Sequence, residues 1–224
     1  MNDLQYKLYI DDVIRRVETA RLRVNPHHIV KIVAVSKYST SDEIEKLYKI
    51  GQRAFGENKV QDFEKKSQEL EELPIEWHFI GNLQKNKINK LLTLNPALFH
   101  GLDSLDLALE LQKKLLARES TLDCLLQINS AKEESKHGVL PEDAVEIYNK
   151  IKKECPNIIL KGVMSIGAHS EDKSVVKESF VRTHTIFKEL EDATICSMGM
   201  SGDFELAIKC GSNMVRLGSI MFNR

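Results

Sequence analysis

The sequence lacks the marks of several protein classes. It has four cysteines, Cys124, Cys155, Cys196 and Cys210, spaced 31, 41 and 14 residues apart. Those spacings match no zinc or redox pair. Cys124 and Cys196 lie inside apolar runs and read as buried free thiols in a reducing cytoplasm. Glycine and proline are sparse, at 11 and 5 of 224 residues, which excludes collagen-like and low-complexity chains. An excess of one charge is also missing. Thirty-two basic against 33 acidic side chains leave a net −1, too little bulk field for a nucleic acid or an acidic membrane. The N-terminus Met1-Asn2-Asp3-Leu4-Gln5-Tyr6-Lys7 has no apolar stretch of signal-peptide length, and no run approaches a membrane span. The expectation is a cytoplasmic protein with neither a membrane nor a nucleic-acid partner.

Apolar residues make up 42% of the chain, enough for a core at this length. Residues 3–24 place Leu4, Leu8, Ile10, Val13, Ile14 and Val17 at helical spacing, with Pro26 just beyond. Strand and helix then alternate. Strand candidates are 29–35, 54–56, 75–80, 97–101, 122–128, 158–166, 194–198 and 214–217. Helix candidates 41–50, 59–70, 84–92, 105–118, 142–153, 174–190 and 204–209 fill the intervals. Gly51 and Gly211 fit as C-caps. Eight strands alternating with helices predict an α/β fold, a (β/α)8 TIM barrel. The continuous apolar strands suit a sheet covered on both faces, and their even spacing favours the barrel over a doubly wound open sheet. No run reads as a linker, so residues 1–224 are expected to form a single barrel domain, with 1–25 as an extra N-terminal lead-in helix.

In such a barrel, functional groups gather where strands end at the C-terminal face. Seven of the 11 glycines (Gly56, Gly81, Gly101, Gly167, Gly199, Gly202 and Gly218) fall there. Lys37 ends the run Val33-Ala34-Val35-Ser36-Lys37, where its amine is expected to be partly buried against an apolar wall. An unprotonated amine there forms a Schiff base with a carbonyl; the plain alternative is a lysine reaching for water. The loops Met200-Ser201-Gly202-Asp203 and Gly218-Ser219 follow strands 7 and 8, a favoured phosphate site in barrels, and offer N–H groups and hydroxyls. Ordinary turn chemistry is their alternative. Lysine and loops together suggest a phosphorylated aldehyde held as an imine. Arg216, the one charge in Asn213-Met214-Val215-Arg216-Leu217, faces either a ligand or a core ion pair. Trp77 reads as packing, and His78 as a satisfied core histidine able to face the barrel axis. Lys85, Lys87 and Lys90 read as a solvated face. The polar 131–138 stretch receives no role beyond that of a candidate lid.

Six segments carry a resemblance. They are Ala34-Val35-Ser36-Lys37, Phe55-Gly56-Glu57-Asn58-Lys59-Val60-Gln61, Trp77-His78-Phe79-Ile80-Gly81, Leu83-Gln84-Lys85-Asn86-Lys87, Ser197-Met198-Gly199-Met200-Ser201 and Val215-Arg216-Leu217-Gly218-Ser219. In this order, over about residues 30–222, the chain resembles the YggS/PROSC family of pyridoxal phosphate-binding, or pyridoxal phosphate homeostasis, proteins. The resemblance implies a fold-type III barrel like the N-terminal domain of alanine racemase, with pyridoxal 5′-phosphate as an internal aldimine on Lys37. It places the phosphate on Ser201, Gly218 and Ser219 with the backbone of Met200 nearby, Arg216 toward the pyridine nitrogen, and Asn58 beside the cofactor. Ser219 replaces the usual Thr, and Gly81-Asn82-Leu83 replaces Gly-Pro-Leu or Gly-His-Leu.

The implied role is vitamin B6 homeostasis: buffering the cofactor and delivering it to transiently bound apo-enzymes, without catalytic turnover. A monomer is expected. An arginine opposite the ring nitrogen weakens the electron sink. The racemases draw a second base, a tyrosine, from a C-terminal β-domain of a partner subunit, whereas this sequence stops two residues after Phe222. Ile166 stands where the racemase motif usually has histidine. Two alternatives remain: an amino-acid racemase or related fold-type III enzyme, and a lysine aldolase on a phosphosugar, which would not need Arg216.

Overall fold

Short, largely apolar runs bounded by turns become strands, and the amphipathic segments between them become helices. The computed structural model describes residues 3–133 and 136–223. Glu134 and Ser135 of the candidate lid lie outside the described residues. After α1 (Asp3–Leu22) the chain runs β1 (Lys31–Val35), α2 (Ser41–Lys49), β2 (Ala54–Glu57), α3 (Val60–Glu69) and β3 (Glu76–Phe79). It continues with α4 (Ile88–Leu94), β4 (Leu98–Leu102), α5 (Leu105–Leu116), β5 (Leu122–Ile128), α6 (Ala144–Glu154) and β6 (Ile158–Ser165). The last elements are α7 (Lys173–Glu189), β7 (Ile195–Ser197), α8 (Phe204–Lys209) and β8 (Met214–Leu217). The strands close into a barrel in sequence order, and β1 pairs in parallel with both β2 and β8. The expected (β/α)8 barrel is what forms.

Local chemistry sets the boundaries. Thr40 accepts from the Glu43 N–H and the Glu43 carboxylate accepts from the Thr40 N–H, a capping box that starts α2. Ser104 caps α5 through the Leu107 N–H. Gly51 and Gly211 follow α2 and α8 with φ of 113° and 99°, the left-handed geometry of C-cap glycines. Most boundaries move by a residue or two from expectation, and two differences stand out. Strand pairing begins only at Lys31, opposite Met214, leaving Ile29 exposed below the barrel. The helix expected over 84–92 opens with a separate 3-10 turn, Lys85–Lys87, before α4.

Alternate strand residues face opposite sides. Phe79, Phe99, Cys124, Val163 and Cys196 belong to the large cluster shared with the helices. Val33, Ala54, Leu98, Leu125, Met164 and Met214 form a separate cluster within the barrel. All four cysteines are buried and free. Helix α1 buries Ile10, Val13, Val17 and Ala20 in a cluster that includes Phe204 and Ile208 of α8. Leu4, Leu8 and Ile14, expected on the same apolar face, are exposed. Arg16 adds an ion pair to Glu205 at 3.0 Å. No helix among the described residues is long and apolar enough to cross a membrane.

Gly162 marks the tightest strand approach. It lies at the β5–β6 register shift with φ of 144°, and an added Cβ would stand 2.0 Å from the Ile195 carbonyl oxygen. No rotamer relieves a clash with backbone. Gly162→Ala should therefore cost roughly 2–4 kcal/mol of unfolding free energy, measured by urea denaturation. A loss under about 1 kcal/mol, the scale of an ordinary substitution, would show that β7 yields there.

Candidate cofactor site

Lys37, Asn58, Met200, Ser201, Arg216, Gly218 and Ser219 all line one cavity of about 710 Å³ at the C-terminal mouth of the barrel. Its size suits a small ligand. Val35, Ile80, Met164, Ile166 and Phe222 supply apolar walls.

Arg216 is buried in the cavity's lining. The ion pair considered from sequence is not what satisfies it. Nη1 donates to the Ser197 carbonyl at 2.9 Å and to Ser197 Oγ at 2.7 Å, and Nη2 donates to the Ser165 carbonyl at 2.8 Å. Burial lowers its pKa to about 10, so it stays charged at neutral pH. A cation in a frame of neutral oxygens favours an electron-rich neighbour.

The loops after β7 and β8 touch: the Gly218 N–H donates to Ser201 Oγ at 3.2 Å. Among the described residues, no hydrogen bond within the chain takes up the N–H of Ser201, Gly202 or Ser219, leaving donors for an anion. Met200 differs, because its N–H donates to Asp203 Oδ1 at 2.6 Å. Met200 does line the cavity, but that N–H is already occupied. Burial, the largest influence, raises the Asp203 carboxyl above its ordinary range.

Lys37 departs from expectation. β1 stops at Val35 and the chain turns at Lys37 and Tyr38, so the lysine side chain is exposed rather than partly buried. Its Nζ lies 5.0 Å from the Tyr38 ring centroid and still borders the cavity. Asn58 is held at the rim by a close approach: a Cβ on Gly81 would stand 2.1 Å from the Asn58 carbonyl oxygen. Trp77 packs as expected, 5.5 Å from the Phe63 ring. Lys85 and Lys90 are not merely solvated; they pair with Asp106 and Glu64. In the candidate lid, Lys136 Nζ donates to the Gly167 carbonyl at 2.8 Å, and the His137 carbonyl accepts from Gln127 Nε2 at 3.0 Å.

The family model for the alanine racemase N-terminal domain matches residues 10–223. A pyridoxal phosphate homeostasis protein of Helicobacter pylori is 53% identical over 219 residues, covering 98% of this chain and 99% of its relative. The chain belongs to the pyridoxal phosphate homeostasis protein family. Among solved structures, an unknown protein from Bifidobacterium adolescentis superposes with a TM-score of 0.90 at 30% identity, covering 98% of this chain and 95% of that one. PipY of Synechococcus elongatus PCC7942, solved with PLP bound, gives a TM-score of 0.80 at 30% identity, covering 93% and 98%.

One buried group beneath the site escaped the sequence reading. Glu57, fully buried at the end of β2, accepts from Ser36 Oγ at 2.5 Å and from Lys66 Nζ at 2.7 Å. Lys66 also donates to the Ser36 carbonyl at 2.7 Å. The triad grips the residue immediately before Lys37. A glutamate inside an otherwise apolar strand end was the available signal, but its partner lies on α3, nine positions away. Burial raises the Glu57 carboxyl above its ordinary 4.5, and the Lys66 and Ser36 hydrogen bonds oppose that rise. Lys66→Met removes the larger opposing partner, so folded Glu57 holds its proton more tightly than the unfolded chain does. The variant should lose about 3–5 kcal/mol at pH 8. The loss should shrink toward pH 4.5, where Glu57 is protonated. Urea unfolding at several pH values checks this; a pH-independent loss would mean Glu57 is not ionised beside Lys66.

Proposed function

We propose that this chain binds pyridoxal 5′-phosphate and serves intracellular homeostasis of that cofactor, holding and releasing it rather than turning over a substrate. The observation that carries the reading is the convergence of a lysine, an anion cradle and a buried arginine on one cavity. The donor chemistry fits the group. The N–H groups of Ser201, Gly202 and Ser219, with two hydroxyls, suit a phosphate; the apolar walls suit a pyridine ring; Lys37 suits an aldehyde. When bound, pyridoxal phosphate supplies an aldehyde carbon and an electron-withdrawing ring. Lys37 would hold that carbon reversibly through its amine, from an exposed position on the rim. Arg216 would turn its remaining donor capacity to the ring nitrogen, and Asn58 would lie beside the ring. Homologous proteins bear the homeostasis name, and PipY is known with PLP bound, which supports the assignment. We further infer a cytoplasmic monomer, one barrel domain over residues 1–224, and transient contact with apo-enzymes.

Borohydride reduction followed by peptide mapping should place the pyridoxyl group on Lys37, and Lys37→Ala should lose it while staying folded. Label mainly on another lysine overturns the assignment. Ser201→Ala with Ser219→Ala should weaken pyridoxal phosphate far more than pyridoxal, by roughly 1.5–3 kcal/mol per lost charge-assisted bond. Equal weakening of both would put the phosphate elsewhere.

Racemisation needs a proton acceptor and donor on opposite faces. Ile166 is apolar, and His78 is buried with both ring nitrogens engaged. α-Proton exchange of alanine or serine in deuterium oxide should therefore be slow. Exchange near 1 s⁻¹ or faster, within the enzyme range, would restore the racemase alternative.

A further inference from the structure

A line of polar side chains runs through the barrel from Arg216 to the opposite mouth. Arg216 Nη1 donates to Ser197 Oγ at 2.7 Å. Ser197 Oγ lies 3.5 Å from His100 Nδ1. His100 Nε2 lies 2.8 Å from His78 Nδ1, and His78 Nε2 lies 2.9 Å from Glu76 Oε1. Lys31 pairs with the same Glu76 oxygen. Ser197 and His100 are fully buried, and His78 almost so. The far end opens on a second cavity of about 350 Å³, lined in part by Lys31, Glu76, His78, Asp123 and Lys161.

The chemistry of the two ends fixes every hydrogen between them. Arginine only donates and a carboxylate only accepts. Lys31 and His78 hold Glu76 down to about 2, so it is ionised. Burial pulls both histidines below their ordinary 6.5, which keeps them neutral, each with one ring N–H. Glu76 therefore requires the hydrogen of His78 on Nε2. That leaves His78 Nδ1 as an acceptor, so His100 carries its hydrogen on Nε2 and accepts on Nδ1. Ser197 must then turn its hydroxyl hydrogen to His100 and its lone pair to Arg216. All bonds point one way, from β8 across β7, β4 and β3.

We propose that Ser197 and His100 are positioning residues for Arg216, the last links of a one-way hydrogen-bond column that orients the guanidinium toward the cofactor ring. The positioning role rests on the cofactor assignment; the geometry of the column does not. His100 acts through Ser197, with no contact to the cavity. Without the acceptor at His100, Ser197 Oγ is free to rotate and the guanidinium loses one of its three fixed partners.

Two measurements test it. The first needs no cofactor. Long-range ¹⁵N NMR of the histidines in the wild-type protein at neutral pH should show His78 and His100 both neutral and both protonated on Nε2, with any titration displaced below the ordinary histidine value. A hydrogen on Nδ1 of either, or titration near pH 6.5, overturns the column. The second reads the bound cofactor's visible absorbance and affinity. Ser197→Ala and His100→Leu should shift the absorbance maximum and weaken pyridoxal phosphate about tenfold. His100→Asn, which keeps an acceptor near the Nδ1 position, should recover most of both. Wild-type values in a folded His100→Leu protein, or no recovery in His100→Asn, would overturn the positioning role. Absence of pyridoxal phosphate binding by the wild type would instead refute the cofactor assignment and leave the NMR result standing.

Discussion

A permanently charged guanidinium buried within a closed barrel has to be solvated by the protein itself. Arg216 meets that demand by reaching from β8 to the carbonyls of Ser197 on β7 and Ser165 on β6. The same bonds join three strands. They matter most where the ladder is weakest, since β7 is three residues long and its register with β8 rests on Ser197 opposite Met214. Side chains reinforce that seam. Ser212 Oγ bridges backbone groups of Cys196, Met198 and Met214, and Asn213 engages Cys196 and Thr194. Desolvating a charge is costly unless its hydrogen bonds are complete, so the position of Arg216 and the closure of the barrel are one problem with one solution.

That solution explains why the cavity has its shape. With the guanidinium held from below, the loops after β7 and β8 are drawn together until Gly218 meets Ser201. On the opposite rim, backbones stack without side chains between them. An added Cβ on Gly81 would strike the Asn58 carbonyl, and one on Gly101 would lie 2.4 Å from the Gly81 carbonyl oxygen. Three successive strand ends thus approach at backbone distance, and the cavity lies between this narrow rim and the one formed by the loops after β7 and β8. Lys37 stands on the turn between them, anchored through Ser36 by Glu57 and Lys66.

Much of this was legible from sequence for local reasons. β5, α8 and β8 begin and end where the apolar runs and glycines put them, because capping and burial act within a few residues. The seven cavity residues came from strand ends and from the family resemblance, and the barrel topology then brought them together. Partnerships across the barrel were not legible. His100 sits at the end of an apolar run, and nothing local says that it meets His78 of β3 on one side and Ser197 of β7 on the other. Lys66 looks like one more charge on a helix rich in charge, yet it is buried on Glu57. The exposure of Lys37 depended on where β1 pairing stops, a feature of the neighbouring strands rather than of its own segment.

The arrangement around Arg216 also bears on what kind of chemistry the cavity favours. A carboxylate at that place would stabilise a protonated ring nitrogen and so strengthen electron withdrawal from the substrate carbon. A guanidinium does the opposite, and here it is locked: its hydrogen-bond partners are neutral oxygens, and burial does not take its charge away near neutral pH. A reaction that builds negative charge on a substrate carbon would need compensation from acid–base groups placed over both faces of that carbon. The cavity presents Ile166 and Met164 along one wall and a single exposed amine at its rim. Holding an aldehyde reversibly asks for less: an anion site for affinity, one amine for the covalent bond, and a rim open enough for the amine to be reached. Those three needs match the buried and exposed halves of this site, with rigidity placed at Arg216 and the two joined loops and exposure left at Lys37.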